Sequence, residues 1–225
     1  MAQKIAVITG GTGALGKAVV KRLLEEDVAC HVTWKFEKEL ETFEHRDQVT
    51  LHRIDCADER SVTAFYDRLH RIDTSIHLVG GFATAAATET TAANLLAMFE
   101  LNVVTAFICS REAIKKMRGR GVGRIVNVAA RPAVLPTGGM VAFSTAKAAV
   151  AAMTTSLAEE FRSDGLCINA IVPSIIDTPA RRAAMPDHDH STWPKPDEVA
   201  AAVAFLAGDA SAVTSGVLLP VYGRT

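Results

Sequence analysis

A phenylalanine and a lysine one helical turn apart are the residues in this sequence with the clearest chemical potential. Phe143 and Lys147 lie at the start of an alanine-rich run, residues 144–162, that contains neither glycine nor proline. On a helix, residues four apart share one face. A lysine beside an aromatic ring and several alanines suits a ligand that is anionic or rich in hydroxyl groups. The alternative is a core phenylalanine beside a lysine whose ammonium group reaches solvent.

A glycine-rich turn near the N terminus predicts a phosphate-binding site. Residues 4–9 are apolar and largely β-branched, as in a strand buried on both faces, and a helical pattern follows the turn. Glycines allow a tight turn, and the N terminus of the helix offers free N–H groups to a pyrophosphate. A glycine turn without a ligand is the alternative. The predicted cofactor contacts here are Gly10, Thr12, Gly13, Ala14, Leu15 and Gly16.

The ends of the next two predicted strands bear on which cofactor is bound. An NAD-binding chain usually has an acidic residue at the end of its second strand, whereas residues 28–34 end at Trp34, followed by Lys35. Lys35 can pair with a 2′-phosphate and Trp34 can flank the adenine, which favours NADP(H) and leaves NAD(H) open. The alternative is a surface lysine. Asp55, after the strand at residues 48–54, is a candidate for the adenine or a turn-forming aspartate.

Two further segments predict residues close to a reacting group. Gly80 and Gly81 follow the strand at residues 75–79, where their backbone can approach a ligand. Phe82 can then stack on a flat substrate or fill the core. Asn102, in the apolar helix at residues 92–118, needs hydrogen-bond partners and is predicted to be structural or part of a proton relay.

Strand and helix patterns alternate along the whole chain. They predict one α/β domain over residues 1–225, a single-domain Rossmann fold with a doubly wound, seven-stranded parallel sheet. Residues 35–47 are predicted to be helical, and Asp197 is predicted to cap the last helix. A proline-flanked segment at about 178–196 is predicted to be a lid; we call it the lid segment. Its His188 and His190 lie beside aspartates, but such loops are more often solvated than metal-binding, so no metal is predicted.

Composition and charge exclude several classes of partner. The chain has 24 basic and 25 acidic residues and a net charge of −1, which does not favour nucleic-acid or membrane binding. Four scattered cysteines show no metal-binding spacing and suit buried free thiols. With no recognisable leader before the first strand, a cytoplasmic protein that acts on a small molecule is expected.

Taken together, these motifs resemble the short-chain dehydrogenases/reductases. The resemblance rests on Thr9-Gly10-x-x-x-Ala14-x-Gly16, Phe143-x-x-x-Lys147 and Pro173-x-x-Ile176-x-Thr178, in that order, with Asp55 and Asn102 between them. Within the family the chain is most similar to the dihydropteridine reductases. That similarity rests on Gly80-Gly81-Phe82 and on the run from Asp177 to Trp193.

The resemblance implies a role for each matched position. Lys147 would bind the nicotinamide ribose, Pro173, Ile176 and Thr178 would hold the carboxamide, and Met185 and Trp193 would meet the substrate under the lid segment. The family's catalytic tyrosine position is occupied by Phe143, and its serine position by Ala130. Homodimers or homotetramers through the helices at 92–118 and 144–162 are implied as well.

The missing hydroxyl leaves two functional hypotheses. A positioned general acid is worth about 10²–10⁴ in rate. One hypothesis is an NADP(H)-dependent oxidoreductase whose quinonoid or pterin-like substrate accepts hydride readily, with Lys147 and water managing the proton. The other is a catalytically impaired NADP(H)-binding regulatory or partner protein.

Overall fold

A seven-stranded parallel sheet forms the centre of the computed structural model, which describes residues 3–135 and 137–225. All neighbouring strands are parallel, and their order is β3-β2-β1-β4-β5-β6-β7. The predicted Rossmann fold is confirmed. The strands are β1 (Ile5–Thr9), β2 (Ala29–Trp34), β3 (Thr50–Arg53), β4 (Thr74–His77), β5 (Gly123–Val128), β6 (Leu166–Pro173) and β7 (Leu218–Val221).

Helices cover both faces of this sheet, because its strands are apolar on both sides. The helices are α1 (Ala14–Glu25), α2 (Glu37–Glu41), α3 (Glu59–Arg68), α4 (Ala92–Phe99), α5 (Thr105–Met117), α6 (Val141–Glu160), α7 (Pro179–Ala184) and α8 (Pro196–Ala207). Helices α1 and α8 form one buried cluster with the sheet, and α3, α5 and part of α6 form another on the opposite face. The four cysteines are free and buried.

The strand order reverses direction between β1 and β4, and this reversal fixes where a ligand can enter. From β1 the chain continues to β2 and β3 on one side of β1, and it then crosses to β4 on the other side of β1. The loops that follow these two strands therefore diverge and leave a crevice at the carboxyl edge of the sheet. The glycine turn after β1 and the Gly80-Gly81 pair after β4 both lie at this edge.

Three predicted helices differ from the observed ones. Residues 35–47 contain only α2 and a 3-10 turn at Arg46–Gln48, so the prediction of one helix there is wrong. The segment at 92–118 is helical throughout but changes to a π-helical turn at Glu100–Val104. Helix α8 begins at Pro196 with Lys195 as its N-cap, so Asp197 lies inside the first turn. Proline suits that first position because its missing N–H would be unpaired there anyway.

Two helical segments are long and apolar enough to cross a membrane by length and composition alone. They are Ala92–Met117 and Val141–Glu160. Both lie in the layer that covers the sheet, where Ala113 and Ala146 are fully buried. Helices of a protein core have the same composition, so these segments are weak support for a membrane span.

Candidate active site

The glycine turn has the backbone geometry that the sequence predicts for a phosphate site. Gly10 has a φ of +67°, which favours glycine. A Cβ at Gly16 would lie 2.4 Å from the carbonyl oxygen of Gly10, so only glycine allows α1 to start this close to the turn. Gly13 is the N-cap of α1, and no side chain caps that N terminus. The N–H groups of the first turn therefore remain available to an anion.

Lys147 holds a buried charge at the carboxyl edge of the sheet. Its Nζ donates a hydrogen bond to the Val128 carbonyl oxygen at 2.8 Å, and the residue is 7% exposed. Burial disfavours the charged form and lowers the pKa of Lys147 to about 8. A Cβ at Gly80 would lie 3.3 Å from Nζ, so the loop after β4 passes directly beside the ammonium group.

Asn102 joins the same loop from the centre of the π-helical turn. Its Oδ1 accepts a hydrogen bond from the Gly81 N–H at 3.1 Å, and its Nδ2 donates to the Met98 carbonyl oxygen at 3.0 Å. A Cβ at Gly80 would approach Oδ1 to 2.7 Å. The two glycines therefore let Asn102 and Lys147 meet the loop. Such π-turns are frequent at functional sites.

Phe143 lies in a stack of three side chains that reaches the lid segment. Its ring is 4.9 Å from that of Phe82, edge to face, and Phe143 is 8% exposed. The guanidinium of Arg181, on α7, lies 4.0 Å from the centre of the Phe82 ring. Phe82 is 39% exposed. The predicted substrate residue Phe82 thus lies beside Phe143, at the mouth of the crevice.

Neither tyrosine of the chain replaces the hydroxyl that Phe143 lacks. Tyr66 is fully buried, and its hydroxyl pairs with Ser75 at 2.8 Å. The ring of Tyr222 lies under the Arg131 guanidinium at 5.5 Å. Ala130 is buried at the end of β5 and supplies only a methyl group. The hydroxyl of Ser144 is buried, but successive residues are about 100° apart around a helix, so it does not share the face of Phe143.

Lys35 and Asp55, both predicted to contact the adenosine half of the cofactor, form an ion pair with each other. Lys35 Nζ lies 2.7 Å from a carboxylate oxygen of Asp55, and the other oxygen accepts the Ala57 N–H at 3.1 Å. Asp55 is thus a turn former as well as a cofactor candidate. Arg53 lies 5.5 Å over the Trp34 ring, so one face of that ring is already covered. A 2′-phosphate at Lys35 would therefore meet a cation that already has Asp55 as a partner.

The sequence interpretation missed a carboxylate at the end of β2. Glu39 lies on α2, and its Oε2 accepts hydrogen bonds from the Lys35 N–H at 3.1 Å, the Phe36 N–H at 3.3 Å and the Thr12 hydroxyl at 3.2 Å. It therefore places a negative charge between the glycine turn and β2. A glutamate at the third position of a short helix is a capping signal, and that signal could have located it.

In the segment after β6, residues predicted to bind the cofactor also stabilise the local structure. The hydroxyl of Thr178 caps α7 by accepting the Arg181 N–H at 3.3 Å. Pro173 is buried at the end of β6, and Ile176 packs half-buried against the α1 and α8 cluster. Asp177 holds Arg182 through two hydrogen bonds of 2.5 and 2.6 Å. The turn is thus held by its own hydrogen bonds, and its contact with a carboxamide remains a prediction.

Trp193 is packed inside the lid segment. It is 5% exposed, and the His190 ring lies 4.6 Å from its own. The C-terminal tail fixes this part, since the Arg224 N–H donates to the Thr192 carbonyl oxygen at 2.8 Å. Met185, at the end of α7, is half-buried, and its carbonyl oxygen pairs with His190 at 2.8 Å. The structure does not bring Trp193 to the open crevice, and both substrate assignments remain predictions.

Comparison with known proteins identifies the family. The sequence profile of the short chain dehydrogenases matches residues 4–189. The chain belongs to that family. It is 30% identical to the cis-4-hydroxycyclohexanecarboxylate dehydrogenase of Sinomonas cyclohexanicum, with 99% of this chain and 96% of the relative covered. It is 28% identical to the acetoacetyl-CoA reductase of Allochromatium vinosum, with 98% and 97% covered.

A solved structure supports the same assignment. A short-chain dehydrogenase/reductase oxidoreductase from Burkholderia thailandensis has a TM-score of 0.90 and 27% identity, with 99% of this chain and 92% of that chain covered. The short-chain family consists of NAD(P)-dependent oxidoreductases that act on small molecules, and this chain is one of them in fold and sequence. None of the relatives named here is a pteridine reductase, so that finer resemblance has no support from them.

Proposed function

We propose that this protein transfers a hydride between a nicotinamide cofactor and a small electron-poor substrate. The observation that carries the proposal is the meeting of Lys147, Asn102 and the Gly80-Gly81 loop at the carboxyl edge of the sheet. The uncapped start of α1 and the close backbone packing at Gly16 fit a dinucleotide pyrophosphate. A buried ammonium group suits the ribose hydroxyls of such a cofactor.

The side chains present decide which substrates are suitable. When bound, the nicotinamide supplies the hydride. Phe143 has no proton to donate, so we assign proton exchange to Lys147, one helical turn away, whose pKa of about 8 suits exchange with water near neutral pH. A substrate that accepts hydride before it needs a proton, such as a quinonoid dihydropterin, a quinone or an imine, is therefore favoured over a simple ketone.

Rapid mixing of the protein with reduced cofactor and a substrate panel tests this function. The panel contains quinonoid pterins, quinones, imines and the ketone that corresponds to each named relative. We expect cofactor oxidation with the electron-poor substrates, and a gain of about 10²-fold or more with the ketones in Phe143→Tyr. Tight cofactor binding without oxidation of any substrate would instead support the regulatory or partner role, and absence of binding would exclude both.

Two features favour different cofactors, and we propose NADP(H) on the strength of Lys35. No carboxylate stands at Trp34, and Lys35 is a cation at the place where a 2′-phosphate is held in dinucleotide folds. Glu39 favours NAD(H), because its carboxylate would repel a phosphate from the nearby backbone N–H groups.

Titration with NADH and NADPH side by side separates the two cofactors. We expect tighter NADPH binding, a loss of that preference in Lys35→Ser, and a further gain for NADPH of about fivefold to tenfold in Glu39→Gln, which removes a charge near the phosphate. Tighter NADH binding that is reversed in Glu39→Gln would instead assign NAD(H). Lys38→Ser, an exposed lysine on the same helix, is the control.

We also propose that the protein is a homo-oligomer through the helical segment that contains α4 and α5. Its outward face exposes large apolar side chains, including Leu96 at 67% and Phe107 at 42%. Helix α6 packs against α4, and its first residue, Val141, is also exposed. A patch of this kind marks an interface. Sedimentation should give a dimer or tetramer that Leu96→Glu weakens, and a wild-type monomer at micromolar concentration would contradict it. A cytoplasmic location remains a prediction.

A further inference from the structure

Arg181 is a half-buried cation without a counterion in the part of the chain that the structure describes. Its neighbour Arg182 is held by Asp177 through two hydrogen bonds, whereas no carboxylate lies within ion-pair distance of the Arg181 guanidinium. The Arg181 side chain is half-buried, and this burial lowers the pKa of Arg181 because the charged form loses contact with water. An uncompensated charge in such a place is costly unless a ligand supplies the opposite sign.

The position of this guanidinium leaves its hydrogen-bond donors free. Its central carbon lies 4.0 Å from the centre of the Phe82 ring, which is the separation of a cation against an aromatic face. The N–H groups of a guanidinium lie in its plane and point outward from its edge. Among the described residues the partner of this guanidinium is the Phe82 ring and no protein oxygen accepts its N–H groups, so the fork remains for a planar anion.

The same stack places the guanidinium close to the reacting position. Phe82 touches Phe143 edge to face, with 4.9 Å between the ring centres. Phe143 lies one helical turn from Lys147, which contacts the Gly80 loop. Arg181 is thus separated from Phe143 only by the Phe82 ring. It is carried by α7, at the start of the lid segment.

We propose that Arg181 binds a carboxylate or another planar anionic group of the substrate and holds the opposite end of that molecule beside Phe143 and Lys147. This inference rests on the proposed function, since it assigns a substrate class to the same site. It makes Arg181 a substrate-binding residue. The proposal also predicts that the lid segment packs more firmly over an anionic substrate than over a neutral one, because only an anion can accept both hydrogen bonds from the Arg181 guanidinium.

A pair of probes that differ only in charge tests the proposal. The probes are 4-oxocyclohexanecarboxylate and its carboxamide, each added to the protein saturated with reduced cofactor. Calorimetry should show the carboxylate binding at least about tenfold more tightly than the carboxamide. In Arg181→Gln the carboxylate should lose about tenfold or more in affinity while the carboxamide changes less than twofold. The matched control is Arg118→Gln, whose guanidinium lies over the Phe161 ring far from the crevice.

The outcomes separate this inference from the proposed function. Equal binding of the two probes by the wild type, or an equal loss of both in Arg181→Gln, overturns the anion site even if the protein oxidises its cofactor. A loss confined to reduced-cofactor affinity in Arg181→Gln would assign the guanidinium to the pyrophosphate and also overturn it. Selective carboxylate binding supports the site whether or not turnover follows, because binding alone is measured.

Discussion

The charge of Lys147 is maintained at a cost in folding free energy. The side chain is 7% exposed, and among the described residues its ammonium has one acceptor, the Val128 carbonyl oxygen. Burial lowers its pKa from 10.5 to about 8, so the folded protein disfavours the charged form. Residues that are strained or costly in this way cluster at functional sites. The role predicted from the sequence gives a reason for the cost, since the ammonium is useful only with a cofactor over it.

We expect Lys147→Met to stabilise the protein at pH 7 and to abolish its activity. The lowered pKa means that the charged lysine costs about 3 kcal/mol below pH 8, at about 1.4 kcal/mol per pKa unit. Between pH 8 and 10.5 the unfolded chain holds a proton that the folded one has released, so wild-type stability rises with pH there.

Urea unfolding at several pH values measures this effect. Lys147→Met should abolish the rise in stability between pH 8 and 10.5. The activity of the wild type should fall above pH 8, because the ammonium loses its proton there. A variant less stable than the wild type at pH 7 would show that the hydrogen bond to Val128 outweighs the cost of burial.

At the scale of elements, the π-helical turn between α4 and α5 shapes the site. One extra residue in the turn moves the Asn102 side chain onto the loop after β4, where it accepts the Gly81 N–H. A regular helix at 92–118, as the sequence predicts, would leave residues beyond the turn rotated by about 100°. Gly80 and Gly81 leave room for this turn, because a Cβ at Gly80 would meet Asn102 and a Cβ at Gly81 would meet Leu101.

Two alanine substitutions in the loop after β4 separate the contact with Asn102 and Lys147 from the rest of that loop. In Gly80→Ala the new methyl meets Asn102 Oδ1 at 2.7 Å and Lys147 Nζ at 3.3 Å. We expect a loss of cofactor affinity of about tenfold or more, with a fall in stability of about 1–3 kcal/mol. Gly81→Ala meets the ends of the flexible Leu101 and Met98 side chains instead of Asn102 and Lys147, and is the comparison within the same loop. Calorimetry and thermal unfolding of both variants decide this, and equal losses of affinity would contradict it.

At the scale of the whole molecule, a buried hydrogen-bond network ties both the sheet and its helices together. Tyr66 on α3 pairs with Ser75, Ser75 with His77 Nε2, and His77 Nδ1 with Asn127 Oδ1, each at 2.8 Å. Asn127 Nδ2 then donates to Thr154 on α6 at 3.1 Å. Because Asn127 Oδ1 accepts, His77 Nδ1 carries a proton and donates. Burial lowers the pKa of His77 from 6.5 to about 4, so the ring is neutral at pH 7.

Acid should therefore destabilise the protein in a defined pH range. Between pH 6.5 and about 4 the unfolded chain takes up a proton that folded His77 does not bind, and His77 by itself contributes a fall in stability of about 3 kcal/mol across that range. His77→Gln should be less stable at pH 7 but show a shallower fall from pH 6.5 to 4. Denaturant unfolding at each pH measures the difference, and parallel curves for the two proteins would contradict the assignment to His77.

The sequence alone determined the fold and the local parts of the site. The apolar strand, glycine turn and helix at residues 4–25, and the Phe143-to-Lys147 helix face, follow from backbone preferences within a few residues. The matched motifs also gave the family. The sequence did not give the π-turn at Asn102, because one inserted residue in a helix leaves no mark on the apolar pattern.

The tertiary structure decided which side chains meet. Lys35 pairs with Asp55, twenty residues away, and Arg181 lies on Phe82, ninety-nine residues away. Glu39 turns toward Thr12 because α2 is short and folds back at the end of β2. These partners come from different elements brought to one sheet edge, and a spacing along the chain does not encode their distances in space. The electrostatics of the crevice are therefore a property of the fold, whereas the position of the crevice could be predicted from the chain.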